Sequence, residues 1–265
     1  MEHSATEPRW RHRRPHGLGA SLETTEGPAL SLIVPTLNEA ENITAFLGET
    51  RSVLDAALPG GYELIVVDDD SPDGTWRAAV ALGGEFPQLR VMRRRDETGL
   101  ARAVIRGWQA ARGRVLGTIN ADFQHPPAVL AAMAARMEGA DLVLATRHAD
   151  GGGLGDWGVA RRLTSRGAKL IGRALLPGIF ARVSDPLSGC YFVRREAIAG
   201  VELKPAGYKS LVEVLARGRV EIIRECGYEM RRRLRGRSKA RAAHSLKFVR
   251  QMVRLRAELG ERGRP

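Results

Sequence analysis

Apolar residues in this chain fall into short continuous runs separated by amphipathic stretches. ALSLIVP (Ala29–Pro35), YELIVVD (Tyr62–Asp68), Leu89–Met92, VLGTIN (Val115–Asn120) and DLVLAT (Asp141–Thr146) are dense in Val, Ile and Leu. Runs of this length and composition suit strands covered on both faces of a sheet. Between them the apolar positions recur at helical spacing. Ile43, Phe46, Leu47, Val53 and Leu54 mark one helix within Asn38–Ala57, and Thr75–Leu82, Leu100–Ala111 and the Ala-rich Pro127–Met137 give three more. Strands alternating with helices at this rhythm predict an α/β fold, an open, mainly parallel, Rossmann-like sheet flanked by helices. Past Thr146 the pattern loosens. GGGLGDWG (Gly151–Gly158) reads as a loop, Val159–Leu176 as a helix, Tyr191–Val193 as a strand, Lys209–Arg217 as a helix and Val220–Arg224 as a strand. The last helix is expected over Ser245–Leu259.

At 265 residues and 43% hydrophobic, the chain can fill one sizeable core. Residues 1–28 lack the apolar centre of a signal peptide and read as a flexible leader. No apolar run reaches the 18 residues of a membrane span. Two cysteines, Cys190 and Cys226, offer neither a disulfide framework nor metal-ligand spacing, which fits a reducing cytoplasmic setting. The net charge is +12, and its placement is uneven: Arg231–Pro265 carries 13 Lys and Arg against 2 Asp and Glu. A basic tail on a nearly neutral body points to an anionic surface as partner. Nucleic acid is disfavoured, because aromatic content is only 5% and no recognition motif accompanies the tail.

Three of the strands run into polar clusters. The first ends in Pro35-Thr36-Leu37-Asn38-Glu39, the second in Asp68-Asp69-Asp70-Ser71-Pro72-Asp73-Gly74 and the fourth in Asn120-Ala121-Asp122-Phe123-Gln124. Ligands of open α/β sheets bind beyond the carboxyl ends of the strands. Adjacent aspartates repel one another unless a cation or hydrogen-bond donors stand nearby. Spacing by two puts Asn120, Asp122 and Gln124 on one side of an extended backbone. Their oxygen donors suit Mg²⁺ or Mn²⁺ better than Zn²⁺. Ordinary turn chemistry accounts for any one such cluster; three at neighbouring strand ends favour a site.

On these residues the chain resembles the family 2 glycosyltransferases of GT-A fold, and among them the dolichol-phosphate (polyprenyl-phosphate) mannose synthases. The resemblance is carried in order by IVPTLNEAENI (Ile33–Ile43), IVVDDDSPDGT (Ile65–Thr75), GLARAVIRGWQAARG (Gly99–Gly113), NADFQHPP (Asn120–Pro127), ATRHADGGG (Ala145–Gly153), RRLTSRGA (Arg161–Ala168), SDPLSGCYFVRR (Ser184–Arg195), GYKSLVEVL (Gly207–Leu215) and GRSKA (Gly236–Ala240). It implies a GT-A domain over residues 29–240, followed by a basic amphipathic helical tail over 241–265. The implied reaction is transfer of mannose from GDP-mannose to a polyprenyl phosphate. Direct displacement would give a β-linked lipid-phosphate sugar.

The resemblance also implies roles. Pro35, Thr36, Asn38, Glu39, Asp68 and Asp69 would hold the nucleotide. Asn120, Asp122 and Gln124 would hold Mg²⁺ or Mn²⁺ on the diphosphate, with Asp122, Arg147 and Arg161 central to catalysis. Ser188, Gly189, Ser238 and Lys239 would lie near the acceptor phosphate or the sugar. One position departs from the family pattern: Asn120 stands where Asp is usual, and a neutral amide binds a hard cation more weakly than a carboxylate. That leaves open a weak or inactive nucleotide-sugar binder, as well as a UDP-sugar donor such as UDP-glucose or UDP-N-acetylglucosamine. His125, before two prolines, is expected to pack the turn rather than act as a base. In the tail, Phe248, Met252, Leu255 and Leu259 form an apolar stripe, widened by Val249 and Val253 and ringed by Lys247, Arg250, Arg254 and Arg256. That pattern predicts a helix lying on anionic lipid at the cytoplasmic face of the membrane. A helix packed on the body, or recruitment by a separate membrane subunit, are the alternatives.

Overall fold

The computed structural model describes residues 27–153, 159–204, 209–231 and 242–262; the side chains of 159–165, 242–246, 261 and 262 are outside the description. The expected leader therefore lies outside the described residues up to position 26. Seven strands form one sheet: β1 (Leu30–Thr36), β2 (Tyr62–Asp68), β3 (Leu89–Arg93), β4 (Val115–Thr118), β5 (Leu142–Thr146), β6 (Tyr191–Arg194) and β7 (Ile223–Gly227). Their order is β3-β2-β1-β4-β6-β5-β7. All pairings are parallel except those of β6, which lies antiparallel between β4 and β5. The helices are α1 (Ala40–Ala57), α2 (Thr75–Ala81), α3 (Leu100–Ala110), α4 (Val129–Arg136), α5 (Val159–Leu175), α6 (Pro177–Phe180), α7 (Arg195–Ile198), α8 (Ser210–Arg217) and α9 (Ala242–Arg262).

Alternation along each strand divides the core into two layers. Leu32 and Val34 of β1 and Leu64 and Val66 of β2 point to the layer that holds Ile43, Phe46 and Leu47 of α1 and Leu130 and Met133 of α4. Ile33, Ile65 and Val67 point the other way, toward Val104 and Trp108 of α3 and Leu211 of α8. Both faces of the central strands are thus covered, as their continuous apolar runs require. At Gly107 a side chain would collide with Ile33, since a Cβ there would sit 2.7 Å from its Cγ2. The glycine lets α3 lie close on β1.

Two expectations change. The seventh strand begins at Ile223 rather than Val220, because the chain before it is tied elsewhere. The N–H groups of Glu221 and Ile222 each donate to the Asp141 carboxylate at 2.8 Å, and Arg219 N–H donates to Ala197 O at 2.7 Å. Pairing with β5 starts only once those bonds end. The second change concerns the C-terminal stripe. Phe248, Met252 and Leu255 are buried in the α3–α8 layer, with Leu259 packed at its edge. The stripe that was expected to meet lipid therefore meets the protein. Two of its flanking cations are also engaged: Arg256 donates to the last-turn carbonyls of α5, at Ala174 and Leu175, and Arg254 pairs with Glu258 at 2.8 Å. Arg217 of α8 joins Glu258 to Glu213, which clamps α9 to the body.

Truncating Met252 to Ala should therefore lower unfolding stability by about 3 kcal/mol in urea titrations. A change within about 0.5 kcal/mol would mean that α9 does not pack on the core.

Candidate active site

The polar clusters at the ends of β1, β2 and β4 share a backbone signature. Asn38, Asp70 and Phe123 are the non-glycine residues with positive φ among the described residues, at 52°, 54° and 59°. One lies in each cluster. Left-handed backbone at residues with a Cβ costs about 1–3 kcal/mol and persists where surrounding bonds hold it, often at functional sites.

Those bonds stitch the first two loops together. Asp68 is fully enclosed; its carboxylate accepts from Thr36 Oγ1 at 2.7 Å, from Ser71 N–H at 2.8 Å and from Ser71 Oγ at 2.6 Å. Asn38 N–H then donates to Ser71 Oγ at 2.9 Å, and Glu39 N–H to Thr75 Oγ1 at 2.8 Å. Asp73 caps the start of α2 by accepting from Thr75 N–H and Oγ1, and it also accepts from Ala40 N–H at 3.0 Å. Thr36 and Asp68, expected to hold the nucleotide, also build the frame: their polar atoms join β1, β2 and the turn that follows. Pro35 is likewise buried, Glu39 receives the Asn42 amide at 2.8 Å, and Asn38 alone of this group is exposed.

Asp69 is buried and its charge is matched. Its carboxylate accepts from Arg94 Nε at 2.8 Å and from Gly99 N–H at 2.6 Å. Arg93 binds Asp70 and stacks on Trp76, 4.3 Å from the ring centroid. Donors thus resolve the repulsion of the triple aspartate. Arg94 was not singled out from the sequence, where it is one of three consecutive arginines with no spacing to distinguish it.

The third loop has a different character. Gln124 N–H donates to Asp122 Oδ1 at 3.1 Å, which curls the chain into a turn. The Asn120 Oδ1 atom is buried without a hydrogen-bond partner. Gly189 lies against this amide: a Cβ at that position would come within 2.8 Å of Asn120 Nδ2. This close approach places the SDPLSG segment beside the β4 loop. Ser188 faces inward, donating to Ala145 O at 2.7 Å and accepting from Cys190 N–H. It shapes the turn that brings Gly189 into place. The His125 ring lies on Tyr228, centroids 4.9 Å apart, and burial with the nearby Arg147 and Lys209 pushes its pKa down to about 3. It packs the turn as a neutral ring.

Opposite this loop stands a group of cations. Arg147 Nε and Nη2 both bond Asp185 Oδ2, at 2.8 and 2.7 Å, and both side chains are buried. Burial alone would raise the Asp185 pKa; Arg147, Lys169 and Lys209 outweigh it and hold the carboxyl below its ordinary range. Asp185 Oδ1 has no hydrogen-bond partner. Lys209, at the head of α8, donates to Leu187 O, and Gln251 of α9 donates to the Lys209 carbonyl at 3.2 Å. Arg161 lies in the first turn of α5, where side chains are not described. Ser238 and Lys239 fall outside the described residues. Lys169 and Lys209 were missed as contributors; Lys209 lies within GYKSLVEVL and Lys169 directly follows RRLTSRGA, and only the fold shows them converging on one aspartate.

The donor set fits a hard divalent ion in kind, with an unpartnered amide oxygen at Asn120, a carboxylate at Asp122 and a further amide at Gln124. No group of three or more His, Cys, Asp or Glu side chains suited to a metal occurs among the described residues. One carboxylate cannot neutralise a divalent charge, so an ion here would need the anionic oxygens of a bound ligand.

A family model described as Glycosyl transferase family 2 matches residues 31–201. The dolichol-phosphate mannosyltransferase of Pyrococcus furiosus is 41% identical over 88% of this chain; the chain spans 65% of that protein's length. The protein of the same description from Mycosarcoma maydis is 31% identical over 92% of this chain and 83% of its own length. Among solved structures, glucosyl-3-phosphoglycerate synthase from Mycobacterium tuberculosis, crystallised with Mn²⁺, UDP and glucosyl-3-phosphoglycerate, superposes with a TM-score of 0.65. That match covers 94% of this chain and 86% of that one at 23% identity, and supports the fold. The strand order, the strand-end loops and these similarities agree: this chain is a glycosyltransferase of family 2, and within that family it belongs with the polyprenyl-phosphate mannosyltransferases.

Proposed function

We propose that the protein transfers mannose from GDP-mannose to the phosphate of a polyprenyl monophosphate, with inversion at the anomeric carbon. The observation that carries this reading is the pairing of two edges: an oxygen-donor loop with the unpartnered Asn120 carbonyl, and a cationic edge built on Arg147. The first suits a diphosphate bridged by a cation; the second suits a second, separate phosphate.

In this reading the nucleotide lies over the stitched ends of β1 and β2, where Asn38 and Glu39 border the base and ribose and Asp69 shapes the floor. Asn120, Asp122 and Gln124 would hold Mg²⁺ or Mn²⁺, which supplies charge neutralisation on the departing diphosphate. Arg147 and Arg161 grip the acceptor phosphate, and Gly189 gives it close approach to the loop. Ser238 and Lys239 complete the phosphate contacts. A phosphate monoester already carries about −1.5 to −2 charges at neutral pH, so the attacking oxygen needs no protein base. The work of the site is to bring two anions into line and hold them there.

The lipid acceptor requires a membrane surface. No described helix is long and apolar enough to cross a bilayer. With the α9 stripe buried, the face offered to lipid is the exposed side of α5 and α9. Leu170 and Ile171 of α5 and Val253 of α9 are exposed there, among the exposed cations Arg166, Arg173, Lys247 and Arg250. Apolar residues within a basic field match anionic headgroups, which supports a peripheral seat at the cytoplasmic face.

Three measurements bear on this. Incubated with Mg²⁺ and a short polyprenyl phosphate, the protein should form lipid-soluble mannose from GDP-mannose and no lipid-linked sugar from UDP-glucose; no product from any donor would contradict the reading. Mn²⁺ should bind weakly alone and tightly with GDP, and Asn120→Asp should tighten binding in spin-resonance titrations by about tenfold. Equal affinity in variant and wild type would remove Asn120 from the ligand set. Leu170→Asp should reduce co-sedimentation with vesicles containing anionic lipid while leaving the fold intact by circular dichroism; undiminished binding would place the lipid contact elsewhere.

A further inference from the structure

His148 and Lys169 meet at the rim of the cationic edge. Lys169 sits on α5, about two turns beyond Arg161. Its Nζ lies 2.7 Å from His148 Nε2 and donates to Ser184 O at 3.0 Å. A lysine joined to a histidine is an unusual pairing, because two protonated partners would turn donors toward each other. The contact holds only when one partner is neutral, so the empty pair carries a single positive charge.

Among the described residues, the carboxylates at the rim are already engaged by other donors. The carboxylates that face the pair are Asp185 and Glu225. Asp185 is bound by Arg147, and Glu225 on β7 accepts from both the N–H and the Oγ of Ser184, each at 2.6 Å. Arg147 and, on α5 itself, Arg173 add further positive charge around Lys169. Burial, with Lys169 beside it, lowers the His148 pKa below its ordinary value. Burial likewise lowers that of Lys169, where Arg147 and Arg173 work against the help of Asp185 and Glu225. The backbone fixes this geometry: His148 N–H donates to Thr146 Oγ1 at 3.2 Å, and Thr146 Oγ1 is 2.6 Å from Ser184 Oγ. The pair is therefore anchored to β5 on one side and to the segment carrying Asp185 on the other.

We propose that His148 and Lys169 form a proton-coupled clamp for the acceptor phosphate, singly charged when empty and taking up a proton as the phosphate dianion docks. The inference rests on the assignment of the Arg147 edge to that phosphate. An anion between the two groups stabilises both charged forms, and the proton it draws in adds a second charge to the grip. The sign follows by linkage. The bound state holds more protons than the empty one, so acceptor affinity rises as the pH falls through the window between the pKa of His148 when bound and its lower value when empty. Donor affinity, set at the other edge, does not share this dependence.

The test is steady-state kinetics on the full chain, with a short polyprenyl phosphate and GDP-mannose at several pH values, for wild type, His148→Gln and Lys169→Met. The phosphate's own ionisation is common to all three and cancels in the comparison. In wild type, acceptor affinity should exceed that of His148→Gln several-fold at pH 6 and converge with it near pH 8; a pKa raised by one unit sets a ceiling of about tenfold, reached only below both pKa values. Lys169→Met should raise the acceptor KM several-fold, with the donor KM unmoved. Calorimetry of polyprenyl phosphate binding in two buffers of different ionisation enthalpy should show proton uptake in wild type and less in His148→Gln. Matching acceptor KM profiles in all three proteins, or a loss of thermal stability with no acceptor-specific change, would overturn the clamp and leave the pair as a strut for α5. A wild-type protein that makes no lipid-linked sugar from any donor would instead overturn the assignment beneath it.

Discussion

Carboxylates emerging from a parallel sheet buried on both faces create a desolvation problem, and its solution organises this molecule. Asp68 and Asp69 end a strand whose neighbours are apolar, at depths where an unmatched charge is untenable. Thr36, Ser71, Arg94 and the Gly99 N–H supply the matching donors. The Ser71 bond closes its own turn and the others join separate segments, so satisfying the acids fixes the shape of the carboxyl edge. The positive φ values at Asn38 and Asp70 fall within the same bonded framework. The frame is rigid because its acids are buried and fully engaged.

Around that frame the unsatisfied atoms are few and sharply placed. Asn120 Oδ1 and Asp185 Oδ1 are among the buried oxygens without partners, and Gly189, in the segment that carries Asp185, lies against the Asn120 amide. The β4 loop offers oxygens, while the Arg147 edge offers cations held around a single aspartate. This asymmetry suits a reaction in which a diphosphate leaves one side and a phosphate attacks from the other. It also ties α9 to the chemistry: Gln251 holds the Lys209 carbonyl, Lys209 holds Leu187, and Leu187 belongs to the segment that carries Gly189.

The first five strands and the helices between them were legible because burial on two faces leaves an unmistakable run of Val, Ile and Leu. The strand-end clusters were legible as a site because three of them coincide with that pattern. What was not legible depends on contacts distant in sequence. Nothing in YFVR marks β6 as antiparallel, and the start of β7 depends on Asp141, some eighty residues away. The stripe of Phe248, Met252 and Leu255 has the right period, yet periodicity reports that a face is buried and not what covers it. Arg94 and Lys169 look like any solvated cation until the fold brings Asp69 and His148 to them. Asp68 reads as a ligand-binding acid in sequence, and only the fold shows that it also staples the turn after β2 to Thr36.

In the proposed reaction the end of β4 and the stitched ends of β1 and β2 form one preorganised seat for a cation-bridged diphosphate. A crystal grown with Mn²⁺ and GDP tests it most directly through the anomalous signal of the ion. One strong peak is expected, coordinated by Asn120 Oδ1, the Asp122 carboxylate and diphosphate oxygens, with the Asp68–Ser71 and Asp69–Arg94 bonds unchanged. A peak bound away from Asp122, or a nucleotide that docks only after those bonds break, would contradict it.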